Sequence, residues 1–299
     1  MISSIINRGT ERITTRMEQA ERLDPVADGL AGVLDRVIPR GRVRDLLSGT
    51  AIGHPAHPAL VLLPLGSWAS AAVLDLFGGE EGRSGARTLL AVGNLSAVPA
   101  VLAGVNDYLY TKDAARRVGL VHALANAGGL GLFSASWAAR RAGRHRLGAT
   151  LSWAGLGLSG GAGWLGGHLT YARGVGVDTT VFQVLPHEWT DVAQPEQVPG
   201  DGQPIVVRVE GVPILLVRHE GRLVAMANRC THRGAPLNEG RVQDGCIICP
   251  WHESAFRLED GQVIAGPATR SQPRLEVRVS AGRVEVRAAP EVYDSAATS

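Results

Sequence analysis

The sequence has little cysteine, few aromatic residues and almost no excess of charge of either sign. Its only cysteines are Cys230, Cys246 and Cys249. A disulfide framework usually uses an even number of more widely spread cysteines, so a cluster beside histidines indicates a metal site instead. The net charge is +2 and aromatic residues make up 5%. No block of Lys and Arg alternates with aromatic residues, so we predict no nucleic-acid partner.

The first fifty residues lack the apolar core of about 7–15 residues that marks a secretory signal. Their apolar residues recur at helical spacing, as Leu23, Val26, Leu30, Val33, Leu34 and Val37. We therefore predict that residues 1–50 form an amphipathic N-terminal segment. Its helix lies either against its own protein or on a membrane surface.

Four long stretches are almost free of charge, at about 58–76, 88–106, 118–139 and 147–168. A bilayer core of about 30 Å needs roughly 20 apolar residues in a helix. A soluble bundle needs polar helix faces, whereas these segments are apolar all round and rich in Gly, Ala and Ser. We predict a four-helix transmembrane domain over residues 51–178, with the lipid bilayer as its partner.

The fourth stretch contains pairs of glycines at small-xxx-small spacing. The pairs are Gly157 with Gly161 and Gly163 with Gly167. This spacing is typical of closely packed membrane helices, so we expect these glycines at helix contacts.

An even number of spans places one set of histidines at the membrane face from which the C-terminal part departs. They are His54, His57, His122 and His168. Ionisable groups inside a membrane are costly and often functional, so these histidines are candidate ligands of a haem b or a quinone. The alternative is that they face headgroup water, or bridge helices as His122 and Asn126 would, one turn apart.

The segments GHPAHPAL at 53–60 and GGHLTY at 166–171 resemble the bacterial membrane domain family DUF2231, over about residues 47–178. The family has no firmly assigned activity. The resemblance implies a multi-pass domain in the plasma membrane of a bacterium. A slight excess of Lys and Arg near the helix ends on the side of the termini predicts that the C-terminal domain is cytoplasmic.

From about residue 182 the pattern changes to short runs rich in Val, Ile and Leu. They lie at 205–209, 213–217 and 222–227, and Glu-Gly or Asp-Gly turns separate such runs. We predict an all-β domain over residues 179–290 and a disordered tail over 291–299. The fold class is therefore multidomain, an all-α membrane bundle followed by an all-β domain.

Two loops of the β domain contain the residues suited to metal chemistry. One reads C-T-H at 230–232 and the other C-P-W-H at 249–252. Thiolates hold iron well, and neutral imidazoles can replace two of them on one iron of a [2Fe–2S] cluster. Cys230 and Cys249 would hold a buried iron, and His232 and His252 an outer iron. Zinc on the same four residues is the alternative, although zinc motifs usually pair cysteines as C-x-x-C.

The two loops resemble the Rieske [2Fe–2S] family over residues 182–288. Ala235 and Trp251 stand where the quinol-oxidising members have disulfide cysteines, so the resemblance is nearer to the dioxygenase-type ferredoxins. It implies that Ser254 donates a hydrogen bond to a cluster sulfur and that Pro267 belongs to a loop covering the cluster. It also implies an intermediate reduction potential, because Phe256 replaces a second hydrogen-bond donor.

No Rossmann, flavin or haem-attachment motif is found, and about ten residues follow the β domain, too few for the mononuclear iron site of an oxygenase. We therefore expect a membrane-anchored carrier of single electrons between unidentified donor and acceptor proteins, rather than an oxygenase catalytic subunit. One alternative is a membrane oxidoreductase with a haem or quinone at the histidines. Another is a redox sensor whose cluster state alters partner binding.

Overall fold

The computed structural model describes residues 2–290, with side chains from Gly9 onward. The chain divides into a helical unit, Met1–Pro39 with Ala56–Val175, and a β unit, Arg40–Pro55 with Gly176–Ser299. Residues 40–55 thus group with the β unit, so the boundary expected between residues 50 and 51 does not coincide with the structural division. The predicted tail at 291–299 lies outside the described residues.

The helices of both units follow in chain order. They are α1 (Ile2–Glu18), α2 (Asp24–Val37), α3 (Arg42–Ser48), α4 (Ala56–Leu60), α5 (Leu62–Phe77), α6 (Gly82–Leu109), α7 (Asp113–Arg141) and α8 (His145–Gly167). A π-helical turn, His168–Ala172, continues α8. Of these helices, α3 belongs to the β unit.

Three helical stretches among the described residues are long and apolar enough to cross a membrane. They are Ala56–Phe77, Gly82–Leu109 and Asp113–Arg141, and they coincide with the first three predicted spans. The fourth predicted span forms α8, which has 23 residues. Because glycine is the most frequent residue of α8 and adds little hydropathy, this helix falls short of a span, and the predicted count of four is not met.

The helical unit buries small residues and turns its large apolar side chains outward. Trp68 of α5 stacks on Phe133 of α7, with 4.1 Å between ring centroids. Gly93 of α6 makes room for this indole, since a Cβ there would collide with it. Leu63 and Leu95 are 59% and 74% exposed. Such packing is expected of helices surrounded by lipid.

The packing face of α8 differs from the expected one. Its buried residues are Gly148, Ser152, Gly155, Ser159, Ala162 and Leu165, and Gly155 lies against Phe133. A Cβ added at Gly157, Gly161 or Gly163 would meet no described atom within 4 Å, and at Gly167 it would meet only Tyr171. The expectation that these glycines mediate helix contacts was wrong, because a glycine-rich helix offers several small faces and its neighbours select one.

The amphipathic helix α2 packs against its own protein. Ala27 and Ala31 are buried with Tyr108 of α6 and Leu120 of α7. The Tyr108 hydroxyl donates to the Ala27 carbonyl oxygen at 3.0 Å. Of the two interpretations of the N-terminal segment, α2 adopts the one in which the helix covers the bundle.

The described part of the β unit contains ten strands in two antiparallel sheets. The strands are β1 (Thr190–Ala193), β2 (Ile205–Val209), β3 (Val212–His219), β4 (Arg222–Ala227), β5 (Arg241–Gln243), β6 (Cys246–Ile248), β7 (Ala255–Arg257), β8 (Val263–Ala265), β9 (Arg274–Ser280) and β10 (Arg283–Ala288). The larger sheet has the order β1-β10-β9-β4-β3-β2 and the smaller β5-β6-β7-β8. The predicted all-β domain is confirmed.

Strand β3 buries both of its faces. Ile214 and Leu216 belong to a core within the larger sheet. Leu215 faces the other way, into a second core with Ile247 and Phe256 of the smaller sheet. Since successive side chains of a strand point to opposite faces, one continuous apolar run joins the two sheets.

Candidate metal centre

The first loop follows β4 and forms a tight turn around Cys230. The Cys230 N–H donates to the Ala235 oxygen at 2.9 Å, and the Gly234 N–H donates to the Cys230 oxygen at 2.8 Å. Gly234 has a φ of 73°, a backbone conformation that glycine adopts without a steric penalty.

The second loop joins β6 to β7 and repeats the same turn around Cys249. The Cys249 N–H donates to the Ser254 oxygen at 2.8 Å, and the Glu253 N–H donates to the Cys249 oxygen at 3.1 Å. Glu253 has a φ of 62°, in the region that Gly234 occupies in the first loop. The two loops are therefore twin turns that present one cysteine each.

The twin turns bring the two cysteines together. Cys230 and Cys249 are each 1% exposed, and their sulfur atoms are hydrogen-bond partners. The S–H of Cys230 stabilises the Cys249 thiolate, which lowers the pKa of Cys249 to about 7. The same hydrogen bond, together with burial, raises the pKa of Cys230. Backbone N–H groups of the following residues, His232 and His252 among them, also point at these sulfurs.

The two histidines form a second pair. The rings of His232 and His252 meet edge to face, with 5.0 Å between centroids and 82° between planes. Burial, together with the nearby His252 and Arg233, lowers the pKa of His232 to about 3. Its imidazole is therefore neutral at physiological pH, which is the form that binds a metal.

The residues expected around the cluster lie on the second loop and a neighbouring segment. Ser254 is fully buried, and its Oγ accepts the Ala268 N–H at 3.0 Å. Pro267 is buried directly before Ala268. The loop Gly266–Ala268 thus contacts the turn that contains Cys249, and its place over a cluster stays a prediction.

Gln272 supports the first loop, a role that the sequence did not indicate. It is 2% exposed. Its side-chain amide donates to the oxygens of Ala227 and Arg229, each at 2.6 Å, and accepts the Thr231 N–H at 3.3 Å. No motif marks this residue, because such a brace depends on where distant segments meet.

The arrangement of the donors distinguishes between a cluster and a single ion. Among residues 2–290, no group of three or more His, Cys, Asp or Glu side chains converges as a single-ion site requires. The donors instead form a cysteine pair and a histidine pair. Zinc gathers four ligands around one ion, whereas a [2Fe–2S] cluster takes two protein ligands on each iron. The donor set therefore fits the binuclear cluster.

Two of the four histidines predicted in the membrane domain lie together. The rings of His57 and His122 are 6.4 Å apart between centroids. His57 Nδ1 donates to the Ala100 oxygen and His122 Nδ1 to the Ala162 oxygen, both at 2.8 Å. Asn126 Nδ2 lies 3.2 Å from His122 Nε2 within α7, and the bond from His122 to Ala162 joins α7 to α8.

The other two histidines have different surroundings. His168 Nε2 lies 2.8 Å from the Glu18 carboxylate, at the end of α1. His54 belongs to the β unit. The structure thus brings His57 and His122 together, and a site formed by all four histidines stays a prediction.

Comparison with known protein families finds a match in each unit. The family described as Rieske [2Fe-2S] domain matches residues 188–280. The family described as predicted membrane protein (DUF2231) matches residues 53–179. Both resemblances inferred from the sequence are confirmed, and with them the Rieske-type [2Fe–2S] cluster as the cofactor.

Several known proteins share one of these parts. The chain is 36% identical over 104 residues to the ferredoxin component of an alkene monooxygenase system from Xanthobacter autotrophicus, covering 34% of this chain and 84% of that protein. It is 32% identical over 91 residues to Apoptosis-inducing factor 3 from Homo sapiens, covering 30% of this chain and 15% of that much longer protein. A solved structure, the ferredoxin of carbazole 1,9a-dioxygenase from Nocardioides aromaticivorans IC177, is 26% identical with a TM-score of 0.32, covering 34% of this chain and 98% of its own.

Proposed function

Because the chain belongs to the Rieske [2Fe–2S] family and joins that domain to a DUF2231 membrane domain, we propose that it is a membrane-anchored electron carrier. Cys230 and Cys249 hold one iron of the cluster, and His232 and His252 hold the other. When bound, the cluster supplies one-electron redox chemistry. The chain itself holds the cluster, sets its potential and offers a surface at which partner proteins exchange electrons.

The observation that carries this proposal is the pairing of donors on twin turns. The hydrogen bond from Cys230 lowers the pKa of Cys249, and backbone N–H groups directed at both sulfurs stabilise negative charge there. His232 and His252 are half-buried and lie nearer the surface than the cysteines. Trp251, beside His252, is 53% exposed. We infer that electrons enter and leave on the histidine side, with Trp251 in contact with the partner.

The partners are proteins that donate or accept one electron. The alkene monooxygenase relative is by name the ferredoxin component of a multiprotein system, which supports separate redox partners here. We propose the plasma membrane of a bacterium as the location and the cytoplasm as the side of the β unit, on the bias of Lys and Arg. Protease cleavage of the β unit in inside-out vesicles, and its protection in right-side-out vesicles, is the expected result.

The first test is a reduced-minus-oxidised visible spectrum of the detergent-purified protein, together with an EPR spectrum of the reduced form. We expect broad bleaching by the cluster and a [2Fe–2S] signal with nitrogen coupling from the histidines. Cys249→Ser and His252→Ala should lose this signal. Cys246→Ala is the matched control, because Cys246 lies on strand β6 outside the ligand set. Stoichiometric zinc without bleaching would contradict the proposal.

A second candidate function is a membrane oxidoreductase with a haem b or a quinone beside His57 and His122. Both imidazoles donate Nδ1–H to a backbone carbonyl, the arrangement that orients ligating histidines and leaves Nε2 as the acceptor. A haem band in the same difference spectrum, lost in His57→Ala and retained in His168→Ala, would support it. Cluster bleaching without a haem band would leave a quinone as the remaining candidate. Quinone binding would then be measured on the wild-type protein and on the same variants.

A further inference from the structure

Residues 40–55 are a structural part of the β unit although they precede the first membrane helix. They comprise α3 and a 3-10 turn at Thr50–Ile52. The two family matches begin at residues 53 and 188. Most of this segment therefore lies outside both matches.

The segment contacts the loop Gly266–Ala268 on both sides of its proline. The Gly266 N–H donates to Asp45 Oδ1 at 2.8 Å. The Thr50 hydroxyl donates to the Ala268 oxygen at 3.0 Å. The fit is close, because a Cβ at Gly266 would collide with the Thr50 hydroxyl. Two distinct side chains thus hold a segment more than two hundred residues later in the chain.

A short hydrogen-bonded path leads from this contact to a cluster ligand. The Ala268 N–H donates to Ser254 Oγ at 3.0 Å, and the Ser254 oxygen accepts the Cys249 N–H at 2.8 Å. Ala268 and Ser254 are fully buried, and Asp45 is half-buried. Solvent therefore screens the field of the Asp45 carboxylate less than that of a surface charge.

We propose that residues 40–55 form a clasp that holds the loop Gly266–Ala268 over the cluster, and that Asp45 is a positioning residue that lowers the cluster's reduction potential. Reduction adds one electron to the cluster. A nearby negative charge disfavours that electron, and the clasp keeps this charge at a constant distance. The inference rests on the proposed function, since it requires the cluster at Cys249 and its partners.

Four variants of the full-length protein separate the charge of Asp45 from the hydrogen bonds of the clasp. Asp45→Asn removes the charge and keeps an oxygen that can accept the Gly266 N–H. Asp45→Ala removes both. Thr50→Val removes only the bond to Ala268. Glu220→Gln is the matched control, because it removes one charge in the β3–β4 turn, at the end of that hairpin remote from the cysteine loop.

The reduction potential is read from an EPR-monitored titration, and loop stability from hydrogen exchange of the Gly266 and Ala268 amides. We expect the reduction potential to rise in Asp45→Asn and Asp45→Ala. We expect no change of the reduction potential in Thr50→Val or Glu220→Gln. Exchange should accelerate in Asp45→Ala and Thr50→Val. A wild-type potential in both Asp45 variants would overturn the role of the charge, and wild-type exchange would overturn the clasp.

The failures of the two proposals are distinguishable. A missing [2Fe–2S] signal in the wild-type protein contradicts the proposed function. A normal signal whose potential does not respond to Asp45 contradicts the clasp alone. If Asp45→Ala does not fold, Asp45→Asn and Thr50→Val still report the charge and the loop separately.

Discussion

The helical unit and the β unit differ in the side chains that they bury. The helical unit buries mostly alanine, glycine and serine, with fewer large side chains such as Trp68, Leu90 and Phe133. The β unit buries Leu, Ile, Val, Met and Phe. Lipid is as apolar as leucine, so membrane helices gain stability from close approach, whereas a β unit in water gains it by removing large apolar side chains from solvent.

The two units also differ in how deeply they bury ion pairs. The helical unit contains a bidentate ion pair between Arg140 of α7 and Asp75 of α5, at 2.6 and 2.5 Å, and these side chains are 1% and 9% exposed. In the β unit, Arg283 and Asp191 form a pair in which each side chain is 44% exposed. Because it is buried, we expect the Arg140–Asp75 pair to contribute strongly to stability. We expect the exposed Arg283–Asp191 pair to contribute little.

The largest expected effect tests this difference in charge burial. Arg140→Ala leaves Asp75 buried without its partner, so we expect a loss of about 3–5 kcal/mol in the free energy of unfolding. Arg283→Ala should cost about 1 kcal/mol or less, because water solvates Asp191. Denaturation of the purified protein in detergent compares the two. Equal losses would show that burial does not distinguish the pairs.

The next effect tests the difference in packing. Leu216→Ala in β3 removes a fully buried side chain and should cost about 2–5 kcal/mol. Leu95→Ala in α6 removes a side chain that is 74% exposed, so we expect a change within about 0.5 kcal/mol. The same denaturation experiment, with one spectroscopic probe in each unit, measures both. A large loss for Leu95→Ala would place that face in a protein interface rather than in lipid.

A smaller expected effect is a change of the reduction potential of the cluster, which concerns the β unit alone. Ser254→Ala removes a buried hydroxyl, which we propose donates a hydrogen bond to a cluster sulfur. Donors to sulfur stabilise the reduced form, so the reduction potential should fall. This direction is opposite to that expected for Asp45→Asn. An EPR titration in which Ser254→Ala raises the potential would exclude a hydrogen bond to the cluster.

The smallest expected effect is a pH dependence of the helical unit. The hydrogen bond from Arg117 lowers the pKa of Asp24 in the folded state. The pair therefore stabilises α2 docking above the unfolded pKa, near pH 4, and this contribution is lost as the pH falls through the lowered folded pKa. Hydrogen exchange of α2 amides should accelerate over that interval. Asp24→Asn should remove the dependence, and its persistence would assign the effect to another carboxylate.

Local patterns in the sequence predicted several elements of both units. Charge-free stretches predicted three membrane helices, because the cost of placing a charge in lipid acts on each segment separately. Short runs rich in Val, Ile and Leu between turn residues predicted β2, β3 and β4. The spacing of Cys230, His232, Cys249 and His252 indicated the cluster because each loop supplies both of its donors within four residues. The assignment of these four residues stays a prediction until the variants are measured.

Tertiary structure alone decided which surfaces meet. The inward face of α8 depends on the side chain of Phe133, and glycine spacing within α8 does not contain that information. Gln272 acts as a brace only where β9 approaches the first loop. Residues 40–55 join the β unit through Asp45 and Thr50, across more than two hundred residues of sequence. Such contacts join segments that have no local pattern in common, so only the folded chain determines them.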